Sequence, residues 1–139
     1  MTSSFSAFVA DFIRKPINGV LQMPVYSDMD AAHDDTQCVI VNTDDAEEII
    51  PGNLTEKITF FIYIRLDPVQ HTAAEMRSLE SDLQRAIVDT LNGLQRMQEL
   101  DVYGCRATLL DCVYSEVLPV ETDQPFYQSR MRARAYLQF

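Results

Sequence analysis

Residues 54–66 alternate without a break. Ile58, Phe60, Ile62, Ile64 and Leu66 fall on one side of an extended chain, and Thr59, Phe61, Tyr63 and Arg65 on the other. A side made wholly of large apolar residues has to be covered, so this segment is a core strand. Asp67 and Pro68 stop it. Thr72, Ala73, Ala74 and Glu75 then form a capping box: the Thr72 hydroxyl accepts from the Glu75 amide, and Glu75 reaches back. A helix is predicted over 73–91, about 28 Å long. Met76, Leu79, Leu83, Ile87, Leu91 and Leu94 line one face of it, and Gly93 marks its end or a break. Residues 94–100 add a further turn or two.

The remaining segments fall around this strand and helix. A first helix opens behind Ser3 or Ser4, with Phe5, Phe8, Val9, Phe12 and Ile13 in one stripe. Pro16 and Gly19 end or kink it. The stripe docks on the chain's own sheet, or part of it meets a neighbouring subunit. Leu21, Met23, Val25 and Tyr26 suggest a short strand, with Pro24 near its edge. Residues 37–43 read as a strand through Cys38, Val39, Ile40 and Val41. A polar loop at 44–48 and a Pro51-Gly52 turn follow. Residues 106–118 and 126–139 are predicted as a hairpin. In its second arm Met131, Ala133, Ala135, Leu137 and Phe139 alternate with Arg130, Arg132, Arg134, Tyr136 and Gln138. The small residues leave room for a helix to approach. The order predicts one α+β domain over 1–139, a mostly antiparallel sheet with an N-terminal helix and one long helix packed on one face.

A chain of 139 residues with 47% apolar side chains can build a core without staples. Its net charge of −10 argues against non-specific nucleic-acid binding, which needs basic stripes. Cys38, Cys105 and Cys112 fit neither a disulfide framework nor a zinc motif, and are expected to be reduced and mostly buried. The N-terminus lacks the features of a signal peptide, and no stretch reaches the length of a membrane span. These readings predict a soluble intracellular chain.

No catalytic constellation emerges. Gly19, Gly52, Gly93 and Gly104 are isolated, so no phosphate loop exists. His33, Asp34 and Asp35 are adjacent in a loop and cannot easily converge on one ion, and His71 precedes a helix cap at the surface. The expectation is no enzyme, no metal and no cofactor. Asp44, Asp45, Glu47 and Glu48 make an acidic segment without the spacing of a calcium loop. It is either a solvated loop or a negative rim facing a basic partner or a passing polyanion.

The feature furthest from background is Arg130, Arg132 and Arg134. On a strand they share one face, about 6.8 Å apart, and repel by about 0.6 kcal/mol per neighbouring pair in water. They pair with carboxylates of their own chain or with those of another subunit. Burying Asp111 unpaired would cost several kcal/mol. That places Asp111 on the outer face, opposite Arg132 or Arg134, with Leu110, Cys112 and Tyr114 turned inward. One acid cannot neutralise three arginines, so Arg130 and at least one of the others are expected to meet carboxylates from outside the chain.

The layout resembles the tail terminator and head-to-tail joining proteins of long-tailed bacteriophages. The matching pieces are the helix at 4–13, the strand at 58–66, the long helix at 72–91 and the closing segment 106–139, which ends Arg132-Ala133-Arg134-Ala135-Tyr136-Leu137-Gln138-Phe139. The resemblance implies a structural protein of the virion, assembled in the host cytoplasm. It would form a hexameric ring at the head-proximal end of the tail, contacting the tail tube protein and the head connector or completion protein. Such a ring ends tube growth and lets DNA pass without specific binding. An acidic lumen, with Asp44, Asp45, Glu47 and Glu48 as candidates to line it, repels phosphate. Arg130, Arg132, Arg134 and Asp111 are the candidate interface residues. The alternative is a small α+β ligand-binding or regulatory domain, with a pocket between the long helix and the sheet.

Overall fold

The computed structural model describes the backbone of residues 5–28, 35–50, 55–94, 100–102, 105–114, 118–120 and 126–138. It describes the side chains of the same residues other than 44–50, 55, 94, 100–102, 105–114 and 118–120. The elements are α1 (Phe5–Val20), β1 (Val25–Tyr26), β2 (Cys38–Ile50), β3 (Thr55–Leu66), α2 (Ala73–Leu94), β4 (Leu100–Val102), β5 (Cys105–Tyr114), β6 (Leu118–Val120) and β7 (Tyr127–Gln138).

Among the described residues, seven strands form one sheet in the order β1-β2-β3-β7-β5-β4, with β6 also paired to β7. Only the two-residue β1 runs parallel to its neighbour; every other pairing is antiparallel. The last strand lies at the centre. β7 pairs with β3 over its whole length, from Thr55 opposite Gln138 to Leu66 opposite Tyr127. Its other side takes β5 at one end and β6 at the other.

One face of this sheet is the core. Ile58, Phe60, Ile62, Ile64 and Leu66 of β3 join Val39 and Val41 of β2 and Met131, Ala133, Ala135 and Leu137 of β7. Phe5, Val9, Ile13 and Ile17 of α1 and Leu83, Ile87 and Leu91 of α2 cover them. The α+β architecture with helices over one sheet face is therefore as expected. Phe5 meets Phe60 edge to face, with ring centroids 5.2 Å apart. Ala133 and Ala135, at register positions opposite Phe60 and Ile58, balance the bulk on β3.

The capping box forms as the sequence predicts. Glu75 N donates to Thr72 Oγ1, and Thr72 N donates to Glu75 Oε1, both at 3.2 Å. Thr72→Ala should lower stability by about 1 kcal/mol in urea unfolding. The Thr72 backbone amide, then its side chain, hold the Glu75 carboxyl below the usual carboxylate range. Its folded value is depressed, so its contribution is present above the ordinary carboxylate range. It is lost as pH falls through the depressed value.

Three expectations are corrected and the others refined. α1 continues through Pro16 to Val20. The carbonyl that loses its donor there belongs to Phe12, on the exposed side of the helix, where water can replace the missing bond. The long helix likewise passes Gly93 to Leu94, and Leu100 belongs to a strand, not a further helical turn. The acidic residues 44–48 are not a loop. They continue β2, pairing from Asp45 opposite Thr59 to Glu48 opposite Glu56 past an irregularity between Thr43 and Asp45. Ladder bonds to β3 override the poor strand propensity of Asp and Glu. The phenylalanine stripe of α1 divides: Phe5 is buried, whereas Phe8 and Phe12 stack on each other, and Phe12 is 37% exposed. Finally, the closing segment is no simple hairpin, because β5 and β6 both pair with β7.

Candidate functional site

The arginines lie on the side of the sheet opposite the helices. Arg130 is at the register position of Tyr63, Arg132 of Phe61 and Arg134 of Thr59. The period of two sends these side chains outward while Met131, Ala133 and Ala135 turn into the core. Arg132 and Arg134 are exposed. Arg130 is half-buried, its guanidinium carbon 4.8 Å from the centre of the Phe61 ring, a cation–π contact that takes it partly out of solvent. Phe61 and Tyr63 adjoin, with ring centroids 6.2 Å apart, so an aromatic floor supports one end of the basic row.

Further along the same face, beyond Tyr63, the outer side is closed. Cys38 and Ile40 are fully buried there, with Tyr26 and Tyr63 packed on them. Arg65 is buried at 6% exposure. Its Nε donates to Gln128 Oε1 at 2.8 Å, its Nη1 donates to the Asp35 carbonyl at 3.3 Å, and its guanidinium lies 4.3 Å from the Phe126 ring centre. Tyr26 donates to Asp35 Oδ2 at 2.8 Å. That bond raises the Tyr26 pKa, because the neutral phenol is the donor. Burial pushes the Cys38 thiol up to about 12, which disfavours the thiolate. Sequence reasoning had put Arg65 on the outer face but missed this clamp. Its partner Gln128 lies across a strand pairing that no local signal discloses.

The acids are placed by their backbone alone, since their side chains lie outside the described residues. The ladder brings Asp45, Thr59, Arg134 and Val113 into one row across four strands. Glu47, Lys57, Tyr136 and Asp111 form the next row. Asp44 falls at the irregularity in β2. Asp111 is opposite Tyr136, neither Arg132 nor Arg134; the shift in the β5 ladder between Leu109 and Asp111 takes it out of the row of Ala135. His33 and Asp34 lie outside the described residues. His71 Nε2 sits 2.8 Å from Gln37 Oε1, tying the turn before α2 to the start of β2.

Among the described residues no three His, Cys, Asp or Glu side chains converge as metal ligands. No helix among the described residues is long and apolar enough to cross a membrane. Leu83, Ile87 and Leu91, all fully buried, fill the contact between α2 and the sheet. An open groove of about 480 Å³ lies instead between the end of α1 and α2, lined by Gly19, Val20, Asp82, Arg85, Ala86 and Asp89.

No protein-family model matches the sequence, and no curated protein does. The fold does have a counterpart among solved structures. A chain in the structure described as the virion of native gene transfer agent (GTA) particle superposes with a TM-score of 0.64. The match covers 98% of this chain and 96% of that one, at 13% sequence identity. At that identity the likeness is one of fold.

Proposed function

We propose that this chain is a structural protein of a phage-like virion. It assembles in the host cytoplasm as a ring of identical subunits, a hexamer, at the head-proximal end of the tail. There it ends tube growth and joins the tail to the head connector. The observation that carries this reading is the fold shared end to end with a chain of a virion particle. The exposed arginines on the open sheet face of a chain with net charge −10 support it, because such a surface is complementary to further copies of the chain or to an acidic tail tube protein. In this reading Arg130, Arg132, Arg134 and Asp111 belong to contacts between subunits or with the tail. Asp44, Asp45, Glu47 and Glu48 are the candidates for negative charge around a lumen through which DNA passes unbound. The protein is not an enzyme.

Mass in solution and negative-stain microscopy, of the protein alone and with tail tubes, test the proposal. The expected result is rings of about six chains, or rings appearing on tube ends. A protein that stays monomeric and ignores tube ends would overturn it. Replacing Arg130, Arg132 and Arg134 together by Gln should leave the subunit folded, weaken assembly and reduce its salt dependence. Each exposed pair is worth only ~0.2–1 kcal/mol, so the effect depends on repetition around the ring. Equal assembly of triple mutant and parent at every salt concentration would remove the arginines from the interface.

A further inference from the structure

Among the described residues the sheet leaves two edges open. β1 covers β2 only at Val39 and Ile40, so from Val41 to Ile50 the outer edge of β2 has no strand partner among the described residues. At the other side of the sheet β4 covers β5 only from Cys105 to Ala107. The edge of β5 from Thr108 to Tyr114 is likewise unpaired among the described residues. Unpaired edges are templates for strand addition, which proteins block with charge, bulges or a cover.

The two edges are complementary. β2, β3, β7 and β5 alternate in direction, so β2 and β5 are antiparallel within one chain. A neighbour placed beside β5 in the same orientation therefore presents its β2 edge in antiparallel pairing. Their charges differ as well. The free stretch of β2 carries Asp44, Asp45, Glu47 and Glu48, whereas that of β5 carries Asp111 as its only charged residue. Two β2 edges repel each other, but β2 against β5 brings no such concentration of like charge. The arginines supply a second match. β7 lies two strands from its own β2, across β3, and would lie two strands from the neighbour's β2, across β5. At about 4.8 Å per strand, the arginine row would run midway between two acidic strands, each about 9.6 Å away.

We infer that the sheet continues from subunit to subunit, the free edge of β2 in one copy pairing antiparallel with the free edge of β5 in the next. This rests on the ring reading above and gives it a contact. The two surfaces differ, so the contact is head-to-tail, the kind that closes into a ring when the rotation allows.

Backbone direction identifies the residues to test. Val39 N donates outward to the Pro24 carbonyl at 3.0 Å. Alternation, shifted once at the irregularity after Thr43, turns the amides of Ala46 and Glu48 outward too. Ala46→Pro removes one outward donor and none of those directed at β3. It should raise the concentration needed for assembly by roughly tenfold or more, while circular dichroism and monomer stability stay near the parent's.

Parity supplies a second measurement, independent of how well that variant folds. Ala46, opposite Ile58, and Cys112, opposite Ala135, occupy register positions on the helix-bearing face. Ala46→Cys or Glu48→Cys should therefore cross-link under mild oxidation to Cys112 of the next copy, and Cys112→Ser should abolish the product. Asp45→Cys and Glu47→Cys, at positions of the opposite parity, should give little. If the parent forms rings but the cross-links fail or ignore parity, the edge pairing is wrong and the ring reading stands. If the parent never assembles, both fall.

Discussion

Phe60→Ala should lower the unfolding free energy by about 3–5 kcal/mol, read as a fall in the urea midpoint at unchanged slope. Phe60 is fully buried at the centre of β3, opposite Ala133 on β7, with Phe5 of α1 on its edge. Truncation removes the transfer energy of the ring and leaves a hole that Ala133 is too small to fill. A domain of this size has about 5–15 kcal/mol in all, so the variant would stand near the limit of folding. Phe60→Leu should cost much less. It keeps most of the apolar volume and forfeits the edge-to-face contact, about 0.5–1.5 kcal/mol. A loss below about 1 kcal/mol for the alanine variant would mean that α1 does not seat on β3.

Leu83→Ala is expected to cost about 2–5 kcal/mol, through transfer and cavity terms together. Leu83 is fully buried, as are Ile87 and Leu91 one and two turns on. Leu79, one turn earlier, is only half-buried. Leu79→Ala should therefore cost clearly less than Leu83→Ala, though both delete the same atoms. Equal costs would show that α2 is rotated or shifted on the sheet relative to this packing.

Those two side chains belong to the segments most legible in the sequence. β3 declares itself because alternation needs no partner to be recognised, and α2 because its cap is local. The strand at 44–48 was hidden for the opposite reason. Asp44, Asp45, Glu47 and Glu48 disfavour a strand, and only the facing residues of β3, from Glu56 to Thr59, supply the ladder that makes one. The centrality of β7 was hidden too, since pairing between Ile58 and Ala135 spans most of the chain. At the candidate site, alternation alone put Arg130, Arg132 and Arg134 on one face. The cation–π seat of Arg130 and the mismatch between Asp111 and the arginines depended on registers set by distant strands, one of them shifted between Leu109 and Asp111.

The buried Arg65 also bears on how the chain finds its fold. β3 and β7 must meet across a long separation in sequence, and strands rich in Ile, Ala and Arg have more than one plausible alignment. Sliding β7 by a single residue relative to β3 would set its arginines against the helices. It would also take Gln128 out of the row of Arg65. Arg65 would then lose the acceptor of its Nε, and the Phe126 ring, next to β7 in the chain, would shift away from its guanidinium. A misaligned pairing is therefore penalised at both ends of the same ladder. The Arg65–Gln128 bond in this way favours one alignment of β3 with β7, the alignment that gives every copy the same outer face.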